Sequence, residues 1–229
     1  MKGFAYLNYQ NTRMQIKFVQ FIPFIHRMLV DDTSIADALK DRIKIACLIS
    51  TGTDVKSQNH VRQTYGKRCD KLVFYAEYDD EKHDDVINVH TADRSNALKK
   101  SLVMLDHACD NFCDGYDWFV KTEDVNYVVV ENLRYMVSNI DSDIPTYFTE
   151  HRTTEKRGDN QLYLINKAAL RIVHTRSNNT CDEEGGFDSQ VKNCLETLGI
   201  KQRDDKDGLD RRRFLNDRSK THGFDWQVK

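Results

Sequence analysis

The chain of 229 residues is long enough to form one α/β domain with a substantial hydrophobic core. Its 34 lysines and arginines nearly balance 36 aspartates and glutamates, so the formal net charge of −2 provides no global positive field for nucleic acid or a membrane surface. Two prolines and 10 glycines are too few for a collagen-like chain or a long Pro/Gly-rich disordered segment. We therefore expect most of the chain to fold.

Residues 1–41 are predicted to form a lead-in segment, because their apolar residues follow no clean helical or strand period. The apolar run at residues 18–25 is too short to span a bilayer, since a membrane-spanning helix needs about 20 mostly apolar residues. We therefore expect an amphipathic extension, with no transmembrane anchor visible in the chain. The run Asp31-Asp32-Thr33 can cap a short helix from Ile35 to Leu39.

Apolar runs alternate with helical patterns through the middle of the chain. Leu98, Leu102 and Leu105 keep helical spacing, so we expect this helix face to pack on a sheet. Strands that alternate with helices predict an α/β fold with a mostly parallel sheet. The predicted strands are residues 43–49, 71–76, 87–89, 118–121, 146–148 and 162–165, and the predicted helices are residues 59–67, 95–112, 132–138, 167–173 and 188–198.

These elements place one folded domain at residues 42–200. Beyond it, residues 201–229 are predicted to be a charged C-terminal tail, because charged residues dominate the stretch from Lys201 to Arg213. Such a charge run is most often a solvated segment.

The six cysteines contain no Cys-x-x-Cys motif, so they do not indicate structural zinc. Spacing alone leaves open whether they form disulfides in an oxidising compartment or remain reduced. Asn178 begins an N-glycosylation pattern that has meaning only in the secretory pathway. Cys109 and Cys113 have the i, i+4 spacing of one helix face, which favours free buried thiols over a bond across a regular turn.

Two adjacent carboxylates, Glu123 and Asp124, follow the apolar run at residues 118–121. Open α/β sheets bind ligands beyond the carboxyl ends of their strands. Carboxylate oxygens suit Mg²⁺ or Mn²⁺, which often bind through one or two carboxylates together with the phosphates of a nucleotide. On composition alone, a solvated turn between two strands is the better interpretation.

Four segments of the chain, one of which contains Glu123 and Asp124, together form a recognisable sequence pattern. Residues 47–52 are followed by residues 60–71, with a Thr-Gly turn in the first part. Residues 117–128 read Asp-Trp-Phe-Val-Lys-Thr-Glu-Asp-Val-Asn-Tyr-Val, and residues 163–170 and 181–194 complete the set. In this order the segments resemble the core 1 β1,3-galactosyltransferases of glycosyltransferase family 31. The family's counterpart of residues 117–128, the second segment, reads Asp-Trp-Phe-Leu-Lys-Ala-Asp-Asp-Asp-Thr-Tyr-Val.

The resemblance implies a Rossmann-like nucleotide-sugar fold of the GT-A type, with disulfides Cys47–Cys69 and Cys181–Cys194. It implies transfer of galactose from UDP-galactose to N-acetylgalactosamine on Ser/Thr of a glycoprotein, with Mn²⁺ as cofactor. It also implies a secretory, Golgi location, with a homodimer or a partner glycosyltransferase as possible assemblies.

The resemblance also assigns roles to individual residues. Asp188 is the candidate catalytic base or acceptor-orienting residue, with the capping of the following helix as an equal alternative. Asp124 and Asn126 are the candidate metal ligands. The residues expected at the uridine diphosphate are Thr51, Gly52, Arg62, Thr64, Glu123 and Asp124.

The chain departs from the family pattern at several positions. Val125 replaces the third aspartate of the triplet and cannot coordinate a metal, so we expect weaker metal binding. Tyr65 replaces a tryptophan, and residues 158–162 replace a small-residue loop that lets substrate approach the backbone. The family's C-terminal region, with paired cysteines and a metal-binding histidine, has no counterpart before Lys229. These departures support an alternative function, a catalytically inactive, chaperone-like or binding protein.

Overall fold

The computed structural model describes residues 5–8, 15–18, 34–80, 82–89, 97–149, 162–177, 180–181, 190–207, 210 and 212–214. The chain divides into two compact units, Met1–Ala38 and Leu39–Lys229. In the first unit, strands β1 (Ala5–Asn8) and β2 (Gln15–Phe18) pair antiparallel. The sequence did not predict these strands, because four residues are too few for a period of two to stand out.

Strands and helices alternate through the rest of the chain, as the apolar pattern predicts. The strands are β3 (Ile45–Ser50), β4 (Lys71–Ala76), β5 (Val86–Asn88), β6 (Trp118–Glu123), β7 (Thr146–Thr149), β8 (Tyr163–Asn166) and β9 (Lys201–Gln202). The helices are α1 (Ser34–Arg42), α2 (Val55–Gln63), α3 (Ala97–Phe112), α4 (Val130–Val137), α5 (Lys167–Arg176) and α6 (Gln190–Thr197), with 3-10 turns at Tyr65–Arg68 and Cys113–Gly115.

The seven strands of the main sheet have the order β5-β4-β3-β6-β8-β7-β9. The first four are parallel to one another, and β9 is parallel to β7. Among the described strands of this sheet, only β8 is reversed: it runs antiparallel to both β6 and β7. The predicted Rossmann-like α/β class with a mostly parallel central sheet is confirmed.

Asn166 holds the reversed strand in place. Its Oδ1 accepts hydrogen bonds from the amides of Thr146 (3.1 Å) and Ala169 (3.0 Å), and its Nδ2 donates to the carbonyl oxygen of Ile144 (2.7 Å). One buried side chain therefore joins the end of β8 to the start of β7 and caps helix α5. Since these partners lie up to 22 residues apart, the direction of β8 is not visible in a local sequence pattern.

The core lies on both faces of the sheet. Along β3, Ala46 and Leu48 belong to one buried cluster, whereas Ile45, Cys47 and Ile49 belong to the other. Successive side chains of a strand point to opposite faces, so a strand covered on both sides is apolar throughout. This explains why the sequence of β3 shows a continuous apolar run rather than alternation.

Both disulfides implied by the resemblance are present, Cys47–Cys69 and Cys181–Cys194. Cys109 and Cys113 have free thiols in this structure. None of the helices in the described part of the chain is long and apolar enough to cross a bilayer.

The described residues after 200, which extend to Phe214, differ from the solvated tail expected from their charge. Strand β9 pairs with β7, and Phe214 packs into the core. Asp205 is buried, where its carboxylate accepts hydrogen bonds from Arg212 (2.5 Å) and from the Phe214 amide (3.2 Å). The described charged residues of this segment therefore include structural ion pairs.

A buried ion pair organises the edge at which β3 begins. Arg134 of α4 is 2% exposed and lies 2.7 Å from an Asp70 carboxylate oxygen. The same guanidinium donates to the carbonyl oxygens of Ile43 (3.1 Å) and Arg68 (2.9 Å), and Asp70 also accepts from the Ile45 amide (2.8 Å). These bonds attach α4 to the entry of β3.

We predict that Arg134→Met lowers the free energy of unfolding by about 3 kcal/mol, because it leaves the Asp70 carboxylate without its closest cation. The measurement is urea denaturation. The matched control is Arg68→Met, which breaks a more exposed ion pair with Glu131 and should cost under about 1 kcal/mol. Equal losses in the two variants would show that the buried pair has no special role.

Candidate functional site

The carboxyl ends of β3 and β6 meet at one edge of the sheet. Ser50 is the register partner of Glu123, so Thr51 and Asp124 follow side by side. The Thr51 hydroxyl donates to Asp124 Oδ2 at 2.5 Å, and the Asp124 amide donates to the Ser50 carbonyl oxygen at 3.2 Å. The Thr51 amide donates to the Tyr75 carbonyl oxygen of β4 (2.9 Å). Two predicted site residues that lie 73 positions apart in sequence are therefore in direct contact.

The turn after β6 carries the other predicted oxygen ligands. Glu123 is the last residue of β6, and the side-chain Nδ2 of Asn126 donates to the Thr122 hydroxyl at 2.9 Å. This orientation leaves the Asn126 amide oxygen as the atom available to a cation. Val125 is 65% exposed and has no donor atom. The described residues contain no group of three His, Cys, Asp or Glu side chains that could hold a metal ion.

Tyr65 places a buried hydroxyl near these carboxylates. The residue is 1% exposed, and its ring packs edge-to-face on Tyr127 at 5.4 Å. Burial, reinforced by the nearby Asp124 charge, raises the pKa of the Tyr65 phenol, so the hydroxyl stays protonated. It has no hydrogen-bond partner among the residues that the structure describes. A buried donor without a partner is costly, typically about 1–3 kcal/mol.

Gln58 supplies a second buried polar group at this edge. Its Nε2 donates to the Gly52 carbonyl oxygen (3.4 Å) and to the Tyr78 hydroxyl (2.5 Å). Its Oε1 is buried and has no partner in the described part of the chain. Sequence reasoning missed Gln58, although a polar residue three positions before the buried Val61 lies on the inward face of α2. We call Thr51, Gly52, Gln58, Tyr65 and Asp124 the carboxyl-edge site.

Gly52 lies at this site, and Thr64 lies at the far end of α2. A Cβ atom built on Gly52 would meet no heavy atom within 4 Å, so the space beside its backbone is open. Thr64 closes α2, where its hydroxyl donates to the His60 carbonyl oxygen at 2.6 Å. Thr64 directly precedes Tyr65, so the end of α2 leads into a residue of the carboxyl-edge site.

Arg62 occupies a different environment. Its guanidinium makes two hydrogen bonds to Asp85, at 2.8 and 2.7 Å, and lies 4.5 Å above the ring of Phe74. The hydrogen bond to Asp85 raises the pKa of Arg62. Asp85 directly precedes β5, the edge strand three positions from β6 in the sheet. The structure therefore does not bring Arg62 together with Asp124.

Several sequence-based predictions lie outside the described residues. They include Asp188, the candidate base, Asn178 of the glycosylation pattern, and most of the residues at 18–25 and 158–162. Their roles stay predictions.

Comparison with known proteins identifies a distant relative. No family model matches the chain. The chain is 26% identical to glycoprotein-N-acetylgalactosamine 3-beta-galactosyltransferase 1 of Xenopus laevis, over 82% of this chain and 55% of that protein. The chain thus spans about half the length of this curated relative.

Among solved structures, the chain is similar to 4-diphosphocytidyl-2C-methyl-D-erythritol synthase from Anaerococcus prevotii. The match has a TM-score of 0.45 and 9% identity, and covers 72% of this chain and 88% of that one. A likeness at this level says nothing about ligands.

We predict that Thr51→Val lowers the free energy of unfolding by about 1–2 kcal/mol, because it removes a hydrogen bond to a charged, partly buried carboxylate. Chemical denaturation measures this loss. Thr51→Ser retains the hydroxyl and should lose clearly less. A Thr51→Val protein as stable as the wild type would mean that the contact with Asp124 does not contribute to the folded state.

Proposed function

We propose that this chain is a distant member of the glycoprotein-N-acetylgalactosamine 3-beta-galactosyltransferase family, a glycosyltransferase whose carboxyl-edge site binds the sugar donor; the 26% identity to the Xenopus laevis enzyme supports this. The donor that we assign is UDP-galactose, and the acceptor is N-acetylgalactosamine on Ser/Thr of a glycoprotein. The chain spans 55% of its relative, so the complete reaction is part of this proposal.

The observation that carries the proposal is the concentration of polar groups at the carboxyl-edge site. Asp124 and Thr51 form a hydrogen-bonded pair there, and the Tyr65 hydroxyl and Gln58 Oε1 are buried without partners among the described residues. Buried polar atoms without partners are uncommon in folded proteins, and two of the six residues that carry such atoms in the described part of the chain lie at this site. A polar ligand such as a nucleotide would supply the missing partners.

We assign the donor diphosphate to the turn after β6. Asp124 and the Asn126 amide oxygen would hold Mn²⁺ jointly with the diphosphate, beside Glu123. When bound, such an ion neutralises charge that develops on the diphosphate leaving group. Two protein oxygens fit a weak site that phosphate oxygens complete, and Val125 contributes no ligand. The open space beside Gly52 allows the diphosphate to approach the backbone there.

The other predicted residues take different roles in the proposal. Asp188 is the proposed base, which would have to lie within hydrogen-bond reach of the acceptor hydroxyl. Thr64 positions the chain that leads into Tyr65. Arg62 is not assigned to the diphosphate, because its guanidinium already pairs with Asp85.

We propose a secretory, Golgi location. Two disulfides in one domain are typical of proteins that fold in an oxidising compartment. A homodimer or a complex with another glycosyltransferase is part of the same proposal.

We predict that UDP binding strengthens when Mn²⁺ is added, and that Val125→Asp raises the Mn²⁺-dependent affinity for UDP about tenfold. The reason is that a further carboxylate increases the ligand charge around a hard cation. The measurement is isothermal titration calorimetry of the full chain with UDP, with and without Mn²⁺.

The control is Ile144→Asp, which places the same new charge at a β-branched apolar residue that is 52% exposed. Ile144 lies just before β7, at the opposite edge of the sheet. This variant should bind UDP as the wild type does. If the UDP affinity of both the wild type and Val125→Asp is the same with and without Mn²⁺, the result would favour a binding protein without transferase activity. An absence of UDP binding would reject the proposed donor.

A further inference from the structure

The thiols of Cys109 and Cys113 lie in contact. Cys109 is half-buried on α3, and Cys113 is buried at the start of the following 3-10 turn. Their sulfur atoms are 3.0 Å apart, and the pair forms a thiol hydrogen bond. No rearrangement of the chain beyond about 1 Å is therefore needed to bring the two sulfurs to bonding distance, which is about 2.05 Å.

The backbone between the two cysteines is not a regular helix. Helix α3 ends at Phe112, whose φ of −154° and ψ of 17° lie outside the helical region. The prediction of free thiols assumed a continuous helical turn from Cys109 to Cys113. Because the turn is broken at Phe112, that objection to a bond does not apply to this structure.

The rest of the domain indicates oxidising conditions. Cys47–Cys69 and Cys181–Cys194 are both disulfide-bonded. The remaining two cysteines of the chain are Cys109 and Cys113. Closed structural disulfides persist where the surroundings are oxidising. Under such conditions, two thiols in contact are the expected site of a further bond.

We propose that Cys109 and Cys113 form a third disulfide in the mature protein, so that all six cysteines are paired. The bond would fasten the end of α3 to the segment that enters β6. This inference does not depend on the proposed transferase activity.

The oxidant is the disulfide of a thiol–disulfide oxidoreductase or of oxidised glutathione. The Cys109 thiol, the more accessible of the two, loses its proton and attacks one sulfur of that disulfide, releasing one thiol. The Cys113 thiol then loses its proton and displaces the second sulfur from the mixed disulfide. In sum, two protein thiols lose two protons and two electrons, and the oxidant becomes two thiols.

Burial, followed by the hydrogen bond that Cys109 donates to Cys113, raises the pKa of Cys109 to about 12. The thiolate is therefore scarce at neutral pH, and uncatalysed oxidation should be slow.

Sequence offers a direct test, because Asp110 separates the two cysteines. The full chain is expressed through a secretory pathway, alkylated under denaturing conditions without reductant, and digested with an endoproteinase that cleaves before aspartate. The expected product is one disulfide-linked species that joins residues 106–109 to residues 110–113. Reduction should split it into its two peptides.

Counting alkylated cysteines separates the possible outcomes. We expect no alkylated cysteine in the wild type, and one in each of Cys109→Ser and Cys113→Ser, at the remaining partner. Alkylation of Cys109 and Cys113 alone would overturn the third disulfide while leaving the secretory location intact. Alkylation of all six cysteines would overturn both. The wild-type digest decides the question even if a serine variant fails to fold.

Discussion

The parallel pairing of β3 with β6 is the constraint on which the rest of the site depends. The register that places Ser50 opposite Glu123 brings the ends of two buried strands to one edge. Thr51 and Asp124 can form their hydrogen bond only because β3 and β6 end side by side. A register shift of one residue would exchange the two faces of β6 and place its apolar side chains on the wrong sides of the core. Core packing therefore fixes the geometry of the carboxyl-edge site.

The carboxyl-edge site contains buried polar atoms that form no hydrogen bond within the described part of the chain. Tyr65 and Gln58 are buried by the same packing that forms the core, yet each has a polar atom without a partner among the described residues. Elsewhere in the described residues, buried polar atoms of Asn88, Glu131, Tyr147 and Ser177 also lack a hydrogen-bond partner. The physical argument for a ligand is therefore the position of Tyr65 and Gln58 at the carboxyl-edge site, which also holds the hydrogen-bonded Thr51–Asp124 pair.

Much of this arrangement could be predicted from the sequence. The apolar runs located β3, β4 and β6, and the strand-end position of Glu123 and Asp124 was correctly identified, because it needs only one buried strand and its end. The two disulfides followed from the resemblance to a family. The reversed direction of β8 could not be predicted, because it depends on contacts of Asn166 with residues of a different element.

The residues missed by sequence reasoning share one property: their roles depend on burial in three dimensions. Gln58 has a polar side chain in an amphipathic helix, and nothing local marks it as fully buried. The stretch from Lys201 to Phe214 has the charge of a solvated tail, but its described part contributes strand β9 and the buried Asp205. Charge runs predict exposure on average and fail where partners such as Arg212 neutralise them.

The central claim is that a nucleotide binds at the carboxyl-edge site. Amide hydrogen exchange of the full chain, with and without UDP and Mn²⁺, tests it most directly. We expect ligand-induced slowing at residues 51–53 and 123–127, with unchanged exchange in β7, which lies on the far side of β8. Slowing confined to other parts of the chain, under conditions where calorimetry detects bound UDP, would contradict the account.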